Sequence, residues 1–166
     1  MNLYLLRHAK AVERGHRHSA DAGRPLTEKG ASKMRRIASS MLDRDLCFDR
    51  IYASTYRRAR ETAEIVADIY SIPERLELSP LLEPEGDPGE LIGVIGRRRP
   101  PFDNVLLVGH EPYLSRLISV LVTGHEGCSL AMKKGGLCKL SADALEYGRC
   151  ATLEWLMGPD QLLGSG

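Results

Sequence analysis

Cysteine is scarce in this 166-residue chain: Cys47, Cys128, Cys138 and Cys150 stand far apart, and no two form a C-x-x-C pair. Such spacing argues against a zinc knuckle or a redox dithiol and leaves reduced, mostly buried thiols in a cytoplasmic protein. Long apolar runs are missing as well. Stretches such as Val105 to Val108 fall far short of the roughly 18 to 20 residues that a bilayer crossing takes. Asn2-Leu3-Tyr4-Leu5-Leu6 meets Arg7 at once, without the basic leader, longer apolar stretch and small-residue cleavage site of a secretory signal. Neither export nor membrane attachment is therefore expected. An excess of one charge is also lacking: 23 basic and 22 acidic side chains leave a formal charge of +1. A polyanion such as nucleic acid is not an expected partner of so balanced a chain. No internal repeat or low-complexity segment interrupts it.

What the chain does have is enough apolar residue, 43%, to bury a core within the length of one domain. Among its basic residues 17 are arginine and six are lysine. Guanidinium is the group suited to forked hydrogen bonding with phosphate or carboxylate. Asn2 to Leu6 reads as a short apolar strand, followed by a polar loop holding Gly15, His16, His18, Asp21, Gly23 and Pro25. Thr27 is a candidate N-cap for a helix from about Glu28 to Arg44, because Met34, Ile37, Ala38, Met41 and Leu42 recur at helical spacing. Arg50 to Ala53 forms a second strand, and Ser54-Thr55 opens a helix that Pro73 stops. The stretch Leu76 to Gly89 is rich in Pro, Glu and Gly; a short helix through Leu91, Ile92, Val94 and Ile95 follows and ends at Gly96. Asn104 to Val108 is the clearest buried strand, and Pro112 starts the helix after it. Gly135 to Ser141 and Cys150 to Met157 are two further strands joined by a turn near Gly148. Strands alternating with helices predict an α/β three-layer sandwich, with a mostly parallel central sheet, antiparallel C-terminal strands and helices on both faces.

In open α/β sheets ligands bind beyond the carboxyl ends of the strands. Three of those ends here carry unusual residues: Arg7-His8, then Ser54-Thr55-Tyr56-Arg57-Arg58, then Gly109-His110-Glu111. If the three strands are parallel neighbours, two imidazoles and at least two guanidiniums converge on one pocket suited to an anion. Arg58 falls in a first helical turn, where free N–H groups and the helix dipole already favour negative charge, and Thr62 lies on the same side at i+4. Each group also has an ordinary reading as a polar loop residue or a solvated helix face; the coincidence of both histidines at strand ends favours the functional one. His16 and His18 lack a third metal ligand, and His125 has no strand-end placement, so no metal or cofactor is expected. Arg97-Arg98-Arg99 and Lys133-Lys134 are solvated surface or groups that steer an acidic partner.

Four ordered elements carry a resemblance: Leu5-Leu6-Arg7-His8-Ala9, Arg24-Pro25-Leu26-Thr27-x-x-Gly30, Ser54-x-x-x-Arg58-Ala59-x-x-Thr62 and Val108-Gly109-His110. In order and spacing the chain resembles the histidine phosphatase superfamily, the phosphoglycerate-mutase-like group, over residues 3 to about 122. Its short length, the Arg24-Pro25-Leu26-Thr27 element and Gly86-Asp87 look most like the SixA-type phosphohistidine phosphatases. The resemblance implies a single histidine phosphatase domain over residues 1–166, a nucleophile at His8 and phosphate ligands at Arg7, Arg58 and His110. It also makes Arg24, Ser54 and Glu83 candidates for substrate binding, without metal or cofactor. Ala9 departs from the commoner Arg-His-Gly, which would strain the backbone if the position needed φ > 0. The general acid of many relatives is a carboxylate after the second helix, and Glu83, Glu85 and Asp87 all lie in that region.

These groups fit metal-independent phosphoryl transfer, with cationic donors around the equatorial oxygens and His8 attacking as neutral imidazole. The expected substrate is a phosphorylated protein, with a phosphohistidine domain as one form of it, or a small phosphorylated metabolite. A protonated imidazole leaves without much help, so a site lacking an evident acid suits a P–N bond. The alternatives are a general small-molecule phosphomonoesterase and, from another class, a non-catalytic reader of phosphoproteins. A mutase is disfavoured because relatives of that kind generally carry extra segments to close the site.

Overall fold

The computed structural model describes residues 1–13, 15 and 20–164. His16 and His18 lie outside the described residues. Six strands form one sheet, β1 (Asn2–Arg7), β2 (Arg50–Ala53), β3 (Leu76–Leu78), β4 (Asn104–Gly109), β5 (Leu137–Ser141) and β6 (Thr152–Met157), in the order β3-β2-β4-β1-β5-β6. β1, β2, β3 and β4 pair in parallel, while β5 and β6 are antiparallel to their neighbours. Among the described residues five α-helices surround the sheet: α1 (Glu28–Asp43), α2 (Arg57–Ile69), α3 (Pro88–Gly96), α4 (Tyr113–Thr123) and the short α5 (Pro159–Leu162).

Strand side chains alternate between faces, and β1 divides its residues accordingly. Leu3 and Leu5 join Leu91, Ile92, Leu114, Leu117 and Leu121 from α3 and α4 on one face. Tyr4 and Leu6 join Met34, Ile37, Met41, Ala63 and Val66 from α1 and α2 on the other. Covered on both sides, β1 and β4 read as continuous apolar runs, as buried parallel strands must. Truncating one such leucine to alanine costs about 2–5 kcal/mol, so the frame beneath the strand ends is stiff.

The strand register fixes the upper rim. Leu6 and Ala53 both lie opposite Val108, and the next residues continue the pattern: the amide of His8 donates to Gly109 O at 3.0 Å, and that of Ser54 to Val108 O at 3.0 Å. The Arg24-to-Gly30 element docks the start of α1 onto the loop leaving β1. The Thr27 amide donates to Lys10 O at 2.9 Å, and the Gly30 amide to Thr27 Oγ1 at 3.0 Å. A methyl group on Gly30 would lie 2.2 Å from Lys10 O, so only glycine permits that approach.

Several element boundaries differ from the sequence expectation for local reasons. α2 opens at Arg57 rather than at Ser54, because Ser54 and Thr55 are bonded across the rim to His110 and Glu83. β6 begins at Thr152, since the amides of Cys150 and Ala151 both donate to Leu121 O at 2.9 Å. Pro112 stands at the N-cap of α4, before its first turn. The three-residue edge strand β3 has no sequence signature of its own in the Pro- and Glu-rich stretch that contains it. The expectation of mostly buried thiols also needs correction. Cys47 and Cys128 are exposed and Cys150 is half-buried, leaving only Cys138, whose thiol burial pushes up to about 12. No helix among the described residues is long and apolar enough to cross a membrane.

Candidate active site

The first residues beyond β1, β2 and β4 meet at the rim. His8 and His110 are both buried, with ring centroids 5.1 Å apart and planes inclined at 55°. Arg58, in the first turn of α2, reaches under them, and its Nε donates to His8 Nε2 at 3.2 Å. On the opposite side of the ring, His8 Nδ1 lies 2.7 Å from Ala9 O. A guanidinium can only donate and a carbonyl can only accept, so these two partners fix the tautomer. Nδ1 carries the proton, and Nε2 presents a lone pair.

Burial is the largest influence on the titration of His8, and with the positive charges of Arg58, Arg7 and Lys134 it outweighs the Ala9 carbonyl and pushes the pKa down to about 3. His110 is likewise brought to about 3, first by burial and then by Arg58 and His8. Both rings are therefore neutral near pH 7. Since unfolding restores a pKa near about 6.5, the unfolded chain takes up more protons below that value. Stability from this source is complete above about pH 6.5 and is lost toward pH 3, at up to about 1.4 kcal/mol per pH unit for each histidine. Imidazole NMR of the free protein is expected to show no titration of either ring between about pH 5 and pH 8. A midpoint near the ordinary histidine value would contradict the buried, cation-flanked setting.

Ser54, wholly buried, lies with Oγ 2.8 Å from His110 Nε2 and accepts from the Tyr56 amide at 3.2 Å. His110 Nδ1 and Arg7 Nε are buried without a hydrogen-bond partner among the described residues. Arg7 ends β1, and its Nη1 donates to Met132 O at 2.6 Å. Thr62 ties the strand end to α2: its hydroxyl accepts from the Ala9 amide at 3.1 Å and donates to Arg58 O at 2.6 Å. Ala9 is not among the residues of positive φ, so alanine in place of the commoner glycine introduces no backbone strain.

Of the candidates read from sequence, His8, His110, Arg58 and Ser54 thus form one bonded cluster with Arg7 beside it. Arg24 joins through Asp21, a residue that the sequence placed only in a loop. Asp21 Oδ1 accepts from Arg24 Nε at 2.8 Å, while its Oδ2 and backbone carbonyl accept from the Arg58 Nη2 and Nη1 at 3.0 and 2.8 Å. Tyr56 was not foreseen either: its ring packs edge-on to His110, with centroids 5.2 Å apart, and beneath Arg58 at 5.1 Å. Glu83 accepts from Thr55 Oγ1, and Glu85 from the Tyr56 hydroxyl at 3.4 Å. Asp87 is used structurally as the N-cap of α3, accepting from the amides of Gly89 and Glu90 at 2.7 and 3.1 Å. Among the described residues no group of three or more His, Cys, Asp or Glu is placed to hold a metal ion.

Residues 3–82 match the family model of the histidine phosphatase superfamily (branch 1). An uncharacterized protein of Picosynechococcus sp. is 33% identical over 145 residues, with 87% of each chain covered. Phosphohistidine phosphatase SixA of Escherichia coli is 25% identical over 167 residues, covering 98% of this chain and 96% of that one. A structure of the protein histidine phosphatase SixA complexed with tungstate superposes with a TM-score of 0.83 at 27% identity, over 98% and 99% of the two chains. A phosphoglycerate mutase structure from Bacillus anthracis shares the fold, with a TM-score of 0.67 at 19% identity, and 95% of its chain is covered. The chain belongs to the histidine phosphatase superfamily and is a phosphatase.

Proposed function

We propose that residues 1–166 act as one histidine phosphatase domain that hydrolyses phosphohistidine on a protein by way of a phosphoryl group carried on His8. The observation that carries this reading is the fixed tautomer of His8: a neutral ring with Nδ1–H held by Ala9 O and the Nε2 lone pair turned toward Arg58.

In the first step Nε2 attacks phosphorus in line and the P–N bond breaks to a substrate imidazole that is protonated on its other ring nitrogen, so that it takes the bonding pair and leaves as neutral imidazole. The charge on the three equatorial oxygens is met by Arg58, by Arg7 and by His110. His110 donates from Nδ1 once the Ser54 hydroxyl, whose oxygen already accepts from the Tyr56 amide, turns its own proton to Nε2. Asp21 and Arg24 hold Arg58 in position. Water then attacks the phosphorus on His8, the P–Nε2 bond breaks, and inorganic phosphate departs with neutral His8 restored. Two displacements replace one harder one. The tungstate in the similar SixA structure, an oxyanion, supports an anion site in this fold.

The substrate reading rests on the acid. Asp87 is committed to capping α3, whereas Glu83 and Glu85 stand at the rim on Thr55 and Tyr56. A site whose carboxylates are so engaged favours a leaving group that departs as a neutral imidazole over an alkoxide. Rapid-quench turnover of a phosphohistidine peptide beside a phosphoserine peptide of the same sequence tests this, with faster release from histidine expected. Equal or faster serine dephosphorylation would instead support the general phosphomonoesterase.

A further inference from the structure

Resting on that reading and deepening it, one feature outside the bonded cluster points to how the substrate is chosen. A cavity of about 300 Å³ opens one residue along from His8, between the loop leaving β1, the first three turns of α1 and the segment before β5. Buried Ala9, Met34 and Ile37 give it an apolar floor. Its rim carries Lys10, Lys29, Lys33 and Lys134, so four of the six lysines in the chain surround this one opening. Gly135, also in its wall, donates its amide to Arg7 O at 3.0 Å and so joins the cavity to the end of β1.

The rim is not neutralised from within. Among the described residues only Lys33 has a carboxylate partner, Asp160 at 2.8 Å, and that pair is exposed and easily exchanged. Glu13 is the acidic group that Lys134 senses, against the like charges of Arg7, Arg24 and Lys10. Lys29 and Lys33 are one helical turn apart, so positive charge runs as a stripe rather than converging on a point. A stripe matches successive carboxylates along a polypeptide, and the apolar floor between the lysines takes a side chain of the same segment.

We infer that this lysine-rimmed cavity is a docking site for an acidic segment of the phosphoprotein, seating an apolar residue on Met34 and Ile37 while flanking carboxylates meet Lys10, Lys29 and Lys33. Exposed ion pairs of this kind act on encounter and selection and weaken with salt.

The test uses two phosphohistidine peptides, matched except that the residues flanking the phosphohistidine are Glu in one and Gln in the other, with p-nitrophenyl phosphate as a substrate without a peptide. The wild type is expected to favour the Glu peptide by about tenfold in kcat/KM at low salt. In Lys10→Gln/Lys29→Gln/Lys33→Gln that preference falls to near unity, with p-nitrophenyl phosphate turnover unchanged. Equal turnover of the two peptides by the wild type overturns the inference, and so does an equal loss on all three substrates. Fluorescence anisotropy with the unphosphorylated Glu peptide gives a readout independent of chemistry: binding lost in the triple variant supports docking even if the phosphohistidine preference over serine fails. Competition by inorganic pyrophosphate without any difference between the Glu and Gln peptides would assign the lysines to a small second anion and overturn the docking of a peptide.

Discussion

Replacing His8 with alanine is expected to lower turnover by about 10,000-fold or more, the scale seen when a covalent nucleophile is removed from a site whose parts act as a unit. The wild type, mixed with labelled substrate and quenched in alkali within the first turnover, should carry acid-labile, base-stable phosphate, and His8→Ala none. The variant should still fold. The ring it loses is neutral, and its Nδ1 bond is to the carbonyl of the neighbouring residue, so no buried charge is left unpaired. Arg58 keeps Asp21 as a partner on both of its Nη atoms. A His8→Ala protein with near-normal turnover would refute covalent catalysis at this residue. Comparison with His110→Ala separates nucleophile from donor, because loss of a donor leaves phosphate trapped on His8 while slowing its formation.

The parts of this site that the sequence exposes are those tied to a local signal. His8 and His110 each follow a run of buried apolar residues, and a polar ring at the end of such a strand falls on the rim where ligands bind. Arg58 is visible because its helix starts just upstream. Asp21 has no comparable signal: it lies in a loop without periodicity, and only the fold brings its carboxylate to Arg58 and Arg24 across 37 and three residues of chain. Tyr56 next to His110 depends on the pairing of β2 with β4, which a strand pattern does not specify. The same holds for the cavity beside His8. Lys10, Lys29, Lys33 and Lys134 come from three separate segments and look like ordinary surface until α1 and the strand before it are packed. Helix and strand existence follows from periodicity, whereas the convergence of side chains depends on tertiary register.

The second large effect is expected at Arg58, because three of its nitrogens already have distinct tasks. Nε donates to His8 Nε2 at 3.2 Å, Nη1 to the Asp21 carbonyl at 2.8 Å, and Nη2 to Asp21 Oδ2 at 3.0 Å. The side chain is only 5% exposed, so its charge acts where water competes little. Arg58→Ala should cost about 2–4 kcal/mol of transition-state stabilisation, roughly thirtyfold to a thousandfold in kcat, by analogy with the loss of one preorganised oxyanion donor. Arg58→Lys should recover little of it, since an ammonium on a flexible stem cannot hold Asp21 and face a phosphoryl oxygen with a planar fork. Folding should suffer less than catalysis, because Asp21 retains Arg24 at 2.8 Å and is itself partly exposed. Thermal melts run beside steady-state assays on p-nitrophenyl phosphate separate the two effects. A small shift in Tm with a collapse of kcat is the expected pattern, whereas a kcat within about threefold of the wild type would remove Arg58 from the phosphoryl cradle, since a lost donor is worth far more than that.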